Sequence, residues 1–250
     1  VFILAGVSVE LRDNIAILTL NRLEKLNALN RVMWSELKSK LSGYCGSNVL
    51  GIILTGSGRA FSSGDDISEM YSLRDLSDAL EFFGLIESTI EELALCQKPV
   101  VAAVNGLAVG GGAEILFFTD YVIASKDSWF SFPEARIGLI APILLTVGVS
   151  TIGLRFAKKL SLTCERLIAS DALRLGLVDE VVDSENLLEV AVERVKILAQ
   201  NTTRESLIYM KKLLYQQYRR LLSEALNTLI ILALSESSKD RMRLFLEKKL

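Results

Sequence analysis

Residues 98–114 read KPVVAAVNGLAVGGGAE, and the fold turns on how they are read. Pro99 closes whatever helix precedes it, and Val100 to Val104 is a fully apolar run of strand length. Asn105-Gly106 then marks a turn, and Gly110-Gly111-Gly112 leads into a short helix from Ala113 to Phe118. Glycine lets the backbone approach a ligand closely, and a helix start leaves N–H groups pointing outward. Glu114 stands in the first turn of that helix, inside an otherwise apolar segment. It reads either as a carboxylate favoured by the helix macrodipole or as a group with chemistry to perform.

Upstream, the alternation of Val7, Val9 and Leu11 and then of Ile15, Ile17 and Leu20 predicts a hairpin turning at Arg12-Asp13-Asn14. Asn30 is placed to cap a helix carrying Met33, Leu37 and Leu41, and Val49 to Thr55 predicts a strand ending in Gly56-Ser57-Gly58. Leu76, Leu80, Phe83, Ile86, Ile90 and Leu93 predict a long helix before Pro99. Downstream lie a strand at Tyr121 to Ala124, another before Pro133, short helices with Ser170 as a cap and Gly176 as a stop, and a last strand at Val178 to Val182. From Ser184 onward the pattern is helical, and residues 196–250 read as three helices. The chain is therefore expected to be an α/β core over residues 1–195 with a helical C-terminal region over 196–250.

Composition narrows the chemistry. The chain has 250 residues, 50% hydrophobic and 23% charged, which suits a large packed core. It contains no histidine, so a Ser-His-Asp triad, a His-ligated metal and an imidazole base are excluded, and carboxylates become the leading proton carriers. Cys45, Cys96 and Cys164 are odd in number and without a CxxC pair, which argues against a disulfide framework or a zinc knuckle. A net charge of -2 argues against nucleic acid as a partner, although residues 201–250 carry 10 basic and 5 acidic side chains. Ile137 to Leu154 is uncharged over 18 residues, but Pro142 and three glycines make it a buried segment and not a membrane span. Val1 to Val7 is too short and lacks the basic leader of a secretory signal, so a cytoplasmic location is expected. Neither glycine cluster matches a dinucleotide fingerprint or a P-loop, so phosphate cradling is unsupported there.

Several motifs occur in a fixed order: Asn21-Arg22 with Lys25-Leu26-Asn27-Ala28-Leu29, Gly58 through Ser62-Ser63-Gly64-Asp65-Asp66-Ile67, Lys98-Pro99-Val100 through Gly110-Gly111-Gly112-Ala113-Glu114, Phe132-Pro133-Glu134, and Ala172 to Val182. Together they resemble the enoyl-CoA hydratase/isomerase (crotonase) superfamily over roughly residues 7 to 185. The resemblance implies a crotonase-like spiral of ββα units, a helical C-terminal region that builds a homotrimer or a dimer of trimers, and an acyl-CoA thioester as substrate. Coenzyme A enters as part of that substrate, and no separate cofactor, metal, nucleic acid or membrane is implied.

Carried onto this sequence, the resemblance maps an oxyanion hole to the N–H groups of Asp65 and Gly111. It maps substrate and CoA contacts to Lys25, Leu26, Ala28, Ser63, Asp65, Asp66, Ile67, Ser68, Gly110 and Gly111. Arg59, Lys25 and the basic residues from Arg241 to Lys249 are candidates for the phosphates. Hydratases of this family carry two glutamates, which here are Glu114 and Glu134; Glu134 alone would otherwise read as an ordinary loop acid. The expected function is hydration of a trans-2-enoyl-CoA. The alternatives are an isomerase working with one acid, a CoA-thioester hydrolase or decarboxylase, or a non-catalytic relative. Three positions depart from the family pattern. Leu23 replaces a proline, Asp65 puts a carboxylate on an oxyanion-hole residue so that its side chain must turn elsewhere, and Gly138 to Leu145 lacks the glycine-rich run of short-chain hydratases.

Overall fold

The computed structural model describes residues 6–249; residues 1–5, the start of the apolar Val1 to Val7 run, and residue 250 lie outside the described residues. β1 (Gly6–Arg12) and β2 (Ile15–Asn21) form the expected antiparallel hairpin. Its two-residue turn, Asp13-Asn14, has positive φ at both positions, the geometry that matches the twist of the strands. α1 (Arg31–Cys45) begins where Asn30 Oδ1 accepts the Met33 N–H at 2.9 Å. Then follow β3 (Gly51–Gly56), β4 (Ala60–Ser62), α2 (Ile67–Ser72) and α3 (Leu76–Ala94). β5 (Val100–Val104), β6 (Leu107–Val109) and α4 (Gly111–Glu114) repeat the pattern, as do β7 (Tyr121–Ser125) and β8 (Trp129–Ser131).

Each repeat sends its first strand to one sheet and its second to another. The large sheet has the order β1-β2-β3-β5-β7 with β10 (Glu180–Val182) at its far edge, and all pairs after β1-β2 are parallel. The small sheet has the order β4-β6-β8, closed by antiparallel β9 (Leu167–Ile168). Between β8 and β9 run a 3-10 turn at Glu134–Ile137, a π-helical turn at Leu144–Gly148, α5 (Val149–Ile152) and α6 (Leu154–Thr163). α7 (Ala169–Leu175) stops at Gly176 in the left-handed region, as expected. Ser170 lies inside α7 and not at its cap: Ile168 occupies the cap position because the β9 strand runs directly into the helix.

The central strands β2, β3 and β5 are buried on both faces of the large sheet, which explains why they read as apolar runs. Ile15, Ile17, Ile53, Val101, Ala103 and Ile123 face α8 (Leu187–Asn201), whereas Leu18, Ile52, Leu54, Val100, Ala102 and Val104 face the main core. α9 (Arg204–Ala233) packs along α3 and is pinned by Lys211, whose buried ammonium meets Asp120 at 2.6 Å and donates to Lys98 O at 2.9 Å. α10 (Glu236–Leu246) ends the chain's regular structure. The 137–154 segment is turned and largely buried, and no helix among the described residues is long and apolar enough to cross a membrane.

The cysteines correct the sequence reading. Cys45, at the end of α1, and Cys96, after α3, form a disulfide with Cα atoms 5.1 Å apart, while Cys164 is free and buried. The packing of α1 on α3 brings together two positions 51 residues apart, a proximity that spacing along the chain cannot disclose.

Candidate active site

The second strand of each repeat ends on the same edge of the small sheet, and the loops that leave this edge converge. Gly64, just after β4, has φ +89, and a Cβ there would stand 2.6 Å from Val109 O and 3.3 Å from the Gly111 nitrogen. Only glycine allows the β4 loop to lie this close to the start of α4. The next residue in one loop is Asp65 and the helix start in the other is Gly111, so the two expected donors come from adjoining backbone. Among the described residues, neither N–H donates to another residue's carbonyl.

Gly110 makes the second close approach. Its φ is +52, and a Cβ there would lie 2.9 Å from Glu134 Oε1. Glu134 begins the 3-10 turn that Pro133 initiates, and its Oε2 is buried without a hydrogen-bond partner. Burial, followed by the charge of Asp65, pushes the Glu134 carboxyl up to about 8, against the pull of its own backbone N–H.

Glu114 is more firmly held. It is 4% exposed, and its Oε1 accepts two backbone N–H groups, Ile143 at 2.7 Å and Leu144 at 2.9 Å. These amides open the π-helical turn, so Glu114 caps a helical segment other than its own. Burial first, then the neighbouring Glu134 carboxylate, raises its proton affinity well above the ordinary carboxylate range, opposed by the two amides. Two carboxyls that repel each other in a dry site favour sharing one proton.

Asp65 has turned as its position requires, towards protein and not solvent. Its Oδ1 accepts the Trp34 indole N–H at 2.8 Å, and its Oδ2 would stand 2.6 Å from a Cβ on Gly111. Burial pushes this carboxyl up to about 6, and the Trp34 bond opposes the rise.

A cavity of about 620 Å³ joins these groups. Of the residues expected from the sequence, Leu26, Ser63, Asp65, Ile67, Gly110, Gly111, Glu114 and Glu134 line it. Lys25, Ala28, Asp66, Ser68 and Arg59 do not. The Lys25 side chain is exposed and only its carbonyl takes part, accepting Ser63 Oγ at 3.0 Å. Ala28 is buried, and Arg59 is exposed in the β3–β4 corner. Asp66 is committed to structure: it accepts Arg22 Nη1 at 2.6 Å and caps α2 through the Ser68 N–H and hydroxyl. Of the basic tail, Arg243 pairs with Asp240 and Glu247, Lys249 pairs with Glu247, and Arg241 donates to Arg136 O at 3.1 Å.

The sequence reading missed the wall that α9 and α10 supply. Leu229 and Phe245 reach the cavity, where they join Met70, Leu139, Ile140 and Pro142 in an apolar lining. Lys239 on α10 donates to Met70 O, Tyr71 O and Leu73 O at 2.6 to 3.1 Å, so a cation satisfies the last carbonyls of α2. Ser238 Oγ meanwhile donates to Gly138 O at 2.9 Å. α10 thus ties together the two walls that carry Met70 and Glu134. Periodicity announces these residues only as helix faces.

A sequence profile described as Enoyl-CoA hydratase/isomerase matches residues 10–249. The chain belongs to the enoyl-CoA hydratase/isomerase family. It is 38% identical over 194 residues to the short-chain-enoyl-CoA hydratase of Clostridium acetobutylicum, covering 76% of this chain and 74% of that one. It is 31% identical over 250 residues to the crotonyl-CoA hydratase of Syntrophomonas wolfei, covering 98% and 96%. The crystal structure of an enoyl-CoA hydratase/isomerase from Xanthobacter autotrophicus Py2 superposes with a TM-score of 0.87 at 26% identity, over 98% of this chain and 94% of that one. The two interlocked sheets and the helical C-terminal region are therefore the crotonase fold, and the chain is a crotonase-family enzyme of the acyl-CoA thioester class.

Proposed function

We propose that this enzyme is an enoyl-CoA hydratase, adding water across the double bond of a trans-2-enoyl-CoA. The observation that carries the reading is the pair of glutamates, Glu114 and Glu134, on the cavity wall beside the adjoining Asp65 and Gly111 amides. Conjugate addition places negative charge on the thioester oxygen, and fixed N–H donors favour that enolate over the neutral carbonyl. The two carboxyls, sharing one proton, suit a pair in which the ionised member orients and deprotonates water while the protonated member delivers a proton to the α-carbon. Coenzyme A is bound as part of the substrate, and no separate cofactor takes part. Following the loss of conjugated enoyl absorbance on mixing with crotonyl-CoA tests the reading; no turnover would overturn it.

Double-bond migration is the second reading. It is favoured by the engagement of Glu114 Oε1, which leaves Glu134 the more available of the two acids, and migration needs only one. Accumulation of a shifted, unhydrated enoyl product would decide for it. We also infer a homotrimer or a dimer of trimers, because Tyr209, Leu213, Leu214, Leu221 and Ile231 expose an apolar stripe along α9. A monomer by light scattering at micromolar concentration would sink that inference.

A further inference from the structure

The cavity has two electrical ends. Its interior carries Asp65, Glu114 and Glu134, whereas Arg136 and Arg166, both exposed, stand on its rim. Arg136 follows Glu134 by two residues and donates from Nη2 to Cys164 O at 3.4 Å, and Arg166 follows Cys164 by two, so the guanidiniums share one corner. Arg166 stacks on the Trp129 ring, 4.1 Å from its centroid, and that ring lines the cavity too. The acid beside them, Glu165, is held by Lys159 at 2.5 Å. Among the described residues, neither Arg136 nor Arg166 has a carboxylate partner. Two guanidiniums without counter-ions, one fixed in plane by an aromatic face, offer the fork that carboxylate and phosphate oxygens fit.

The small sheet gives the direction in which a ligand would reach them. Ser63 and Gly64 leave the end of β4, Gly110 and Gly111 the end of β6, and Phe132 to Glu134 the end of β8. In the antiparallel β8–β9 pair, Trp129 faces Ile168 and Phe130 faces Leu167, which brings Arg166 alongside Ser131 at the same edge. Neighbouring strands lie about 4.8 Å apart, so the edge from β4 to β9 spans about 14 Å. A thioester entering beside Leu26 and Ser63 meets the Asp65 and Gly111 donors, then Glu134, and then the arginine corner.

We propose that Arg136 and Arg166 form an anion-recognition site at the β8–β9 end of the cavity, taking a carboxylate or phosphate group carried by one end of the thioester ligand. The inference rests on the thioester reading of the cavity and not on hydration. The shared chemistry has two sources: a carboxylate on the far end of the acyl chain, which would make the preferred substrate a dicarboxylic acyl thioester, or the phosphates of coenzyme A.

Saturated thioesters bind without turnover and so separate recognition from chemistry. Calorimetry of butyryl-CoA, glutaryl-CoA and butyryl-pantetheine on the wild type, Arg136→Gln and Arg166→Gln distinguishes the sources. If the anion is the acyl carboxylate, glutaryl-CoA weakens about tenfold or more in each variant while butyryl-CoA is unchanged. If it is the CoA phosphates, both CoA esters weaken about tenfold and butyryl-pantetheine is unchanged. All three ligands staying within about twofold of wild type in both variants would overturn the proposal, as would equal weakening of butyryl-pantetheine, which carries no anion. Both side chains are exposed, so the variants should keep the wild-type circular dichroism. Absence of crotonyl-CoA turnover would remove the hydratase reading and leave this assay readable; absence of binding by any CoA ester would remove both.

Discussion

Glu114 and Glu134 are the same residue type on one cavity wall, yet their surroundings differ in kind. Glu114 sits in a helix, and its Oε1 takes the first two amides of a π-helical turn; Glu134 sits on a 3-10 turn after Pro133, with Oε2 buried and unpaired. One carboxylate therefore does structural work whatever its chemical role. The other costs folding free energy, because its buried Oε2 has no bond to offset the loss of water. That difference separates a group that holds the cavity wall together from one that the wall holds at a cost.

The largest effect expected is on turnover. Glu114→Gln and Glu134→Gln keep shape and polarity but remove proton exchange, so hydration of crotonyl-CoA should fall about 10²-fold or more in either, with butyryl-CoA binding retained. Near wild-type hydration by Glu134→Gln would break the two-acid account. Stability should then separate the pair in the opposite way. Glu114→Leu strands two buried amides and should cost about 2–4 kcal/mol in urea unfolding, whereas Glu134→Leu should be neutral or stabilising. Equal losses in the two variants would erase the contrast.

The pH dependence sharpens the same point. The Glu134 carboxyl lies at about 8 in the folded chain against an ordinary 4.5. Between those values the folded state keeps a proton that the unfolded state has released, so the residue's contribution to stability falls as pH rises through this window and is flat above it. Glu134→Gln should therefore gain Tm over the wild type at pH 9 and lose most of that gain at pH 4.5. The smallest effect belongs to Trp34→Phe. It removes the bond that opposes the rise of Asp65, so the Asp65 carboxyl should titrate above about 6 by carboxyl-carbon NMR. Stability should fall by about 1 kcal/mol.

What was legible in the sequence was what local pattern carries. Asp13-Asn14, Asn30, Pro99 and Gly176 punctuate the chain in the sequence just as they do in the fold, because turns, caps and stops are decided within a few residues. The ordered motifs brought the family, and with it eight of the cavity's lining residues. The missed features depend on distant partners. Asp66 reads as a ligand contact because nothing near it in the sequence reveals Arg22, 44 positions away. Nothing local marks Trp34 as a hydrogen-bond donor to Asp65, 31 residues off. Lys239 looked like part of a basic tail, although its charge is spent on carbonyls more than 160 residues upstream. Ser170 shows the converse error, where a good capping residue was displaced by a strand that leads straight into the helix.

The Cys45–Cys96 bond divides the site topologically. It closes residues 45–96 into a ring that holds β3, β4, α2 and α3, and Asp65 lies within it. Gly111, Glu114 and Glu134 lie on the open chain outside. A backbone cut between Gly46 and Leu95 in the oxidised protein would thus release no fragment until a reductant is added, and Asp65 and Gly111 would stay on one covalent molecule. A cut between Gln97 and Gly110 would separate them at once, held thereafter only by packing.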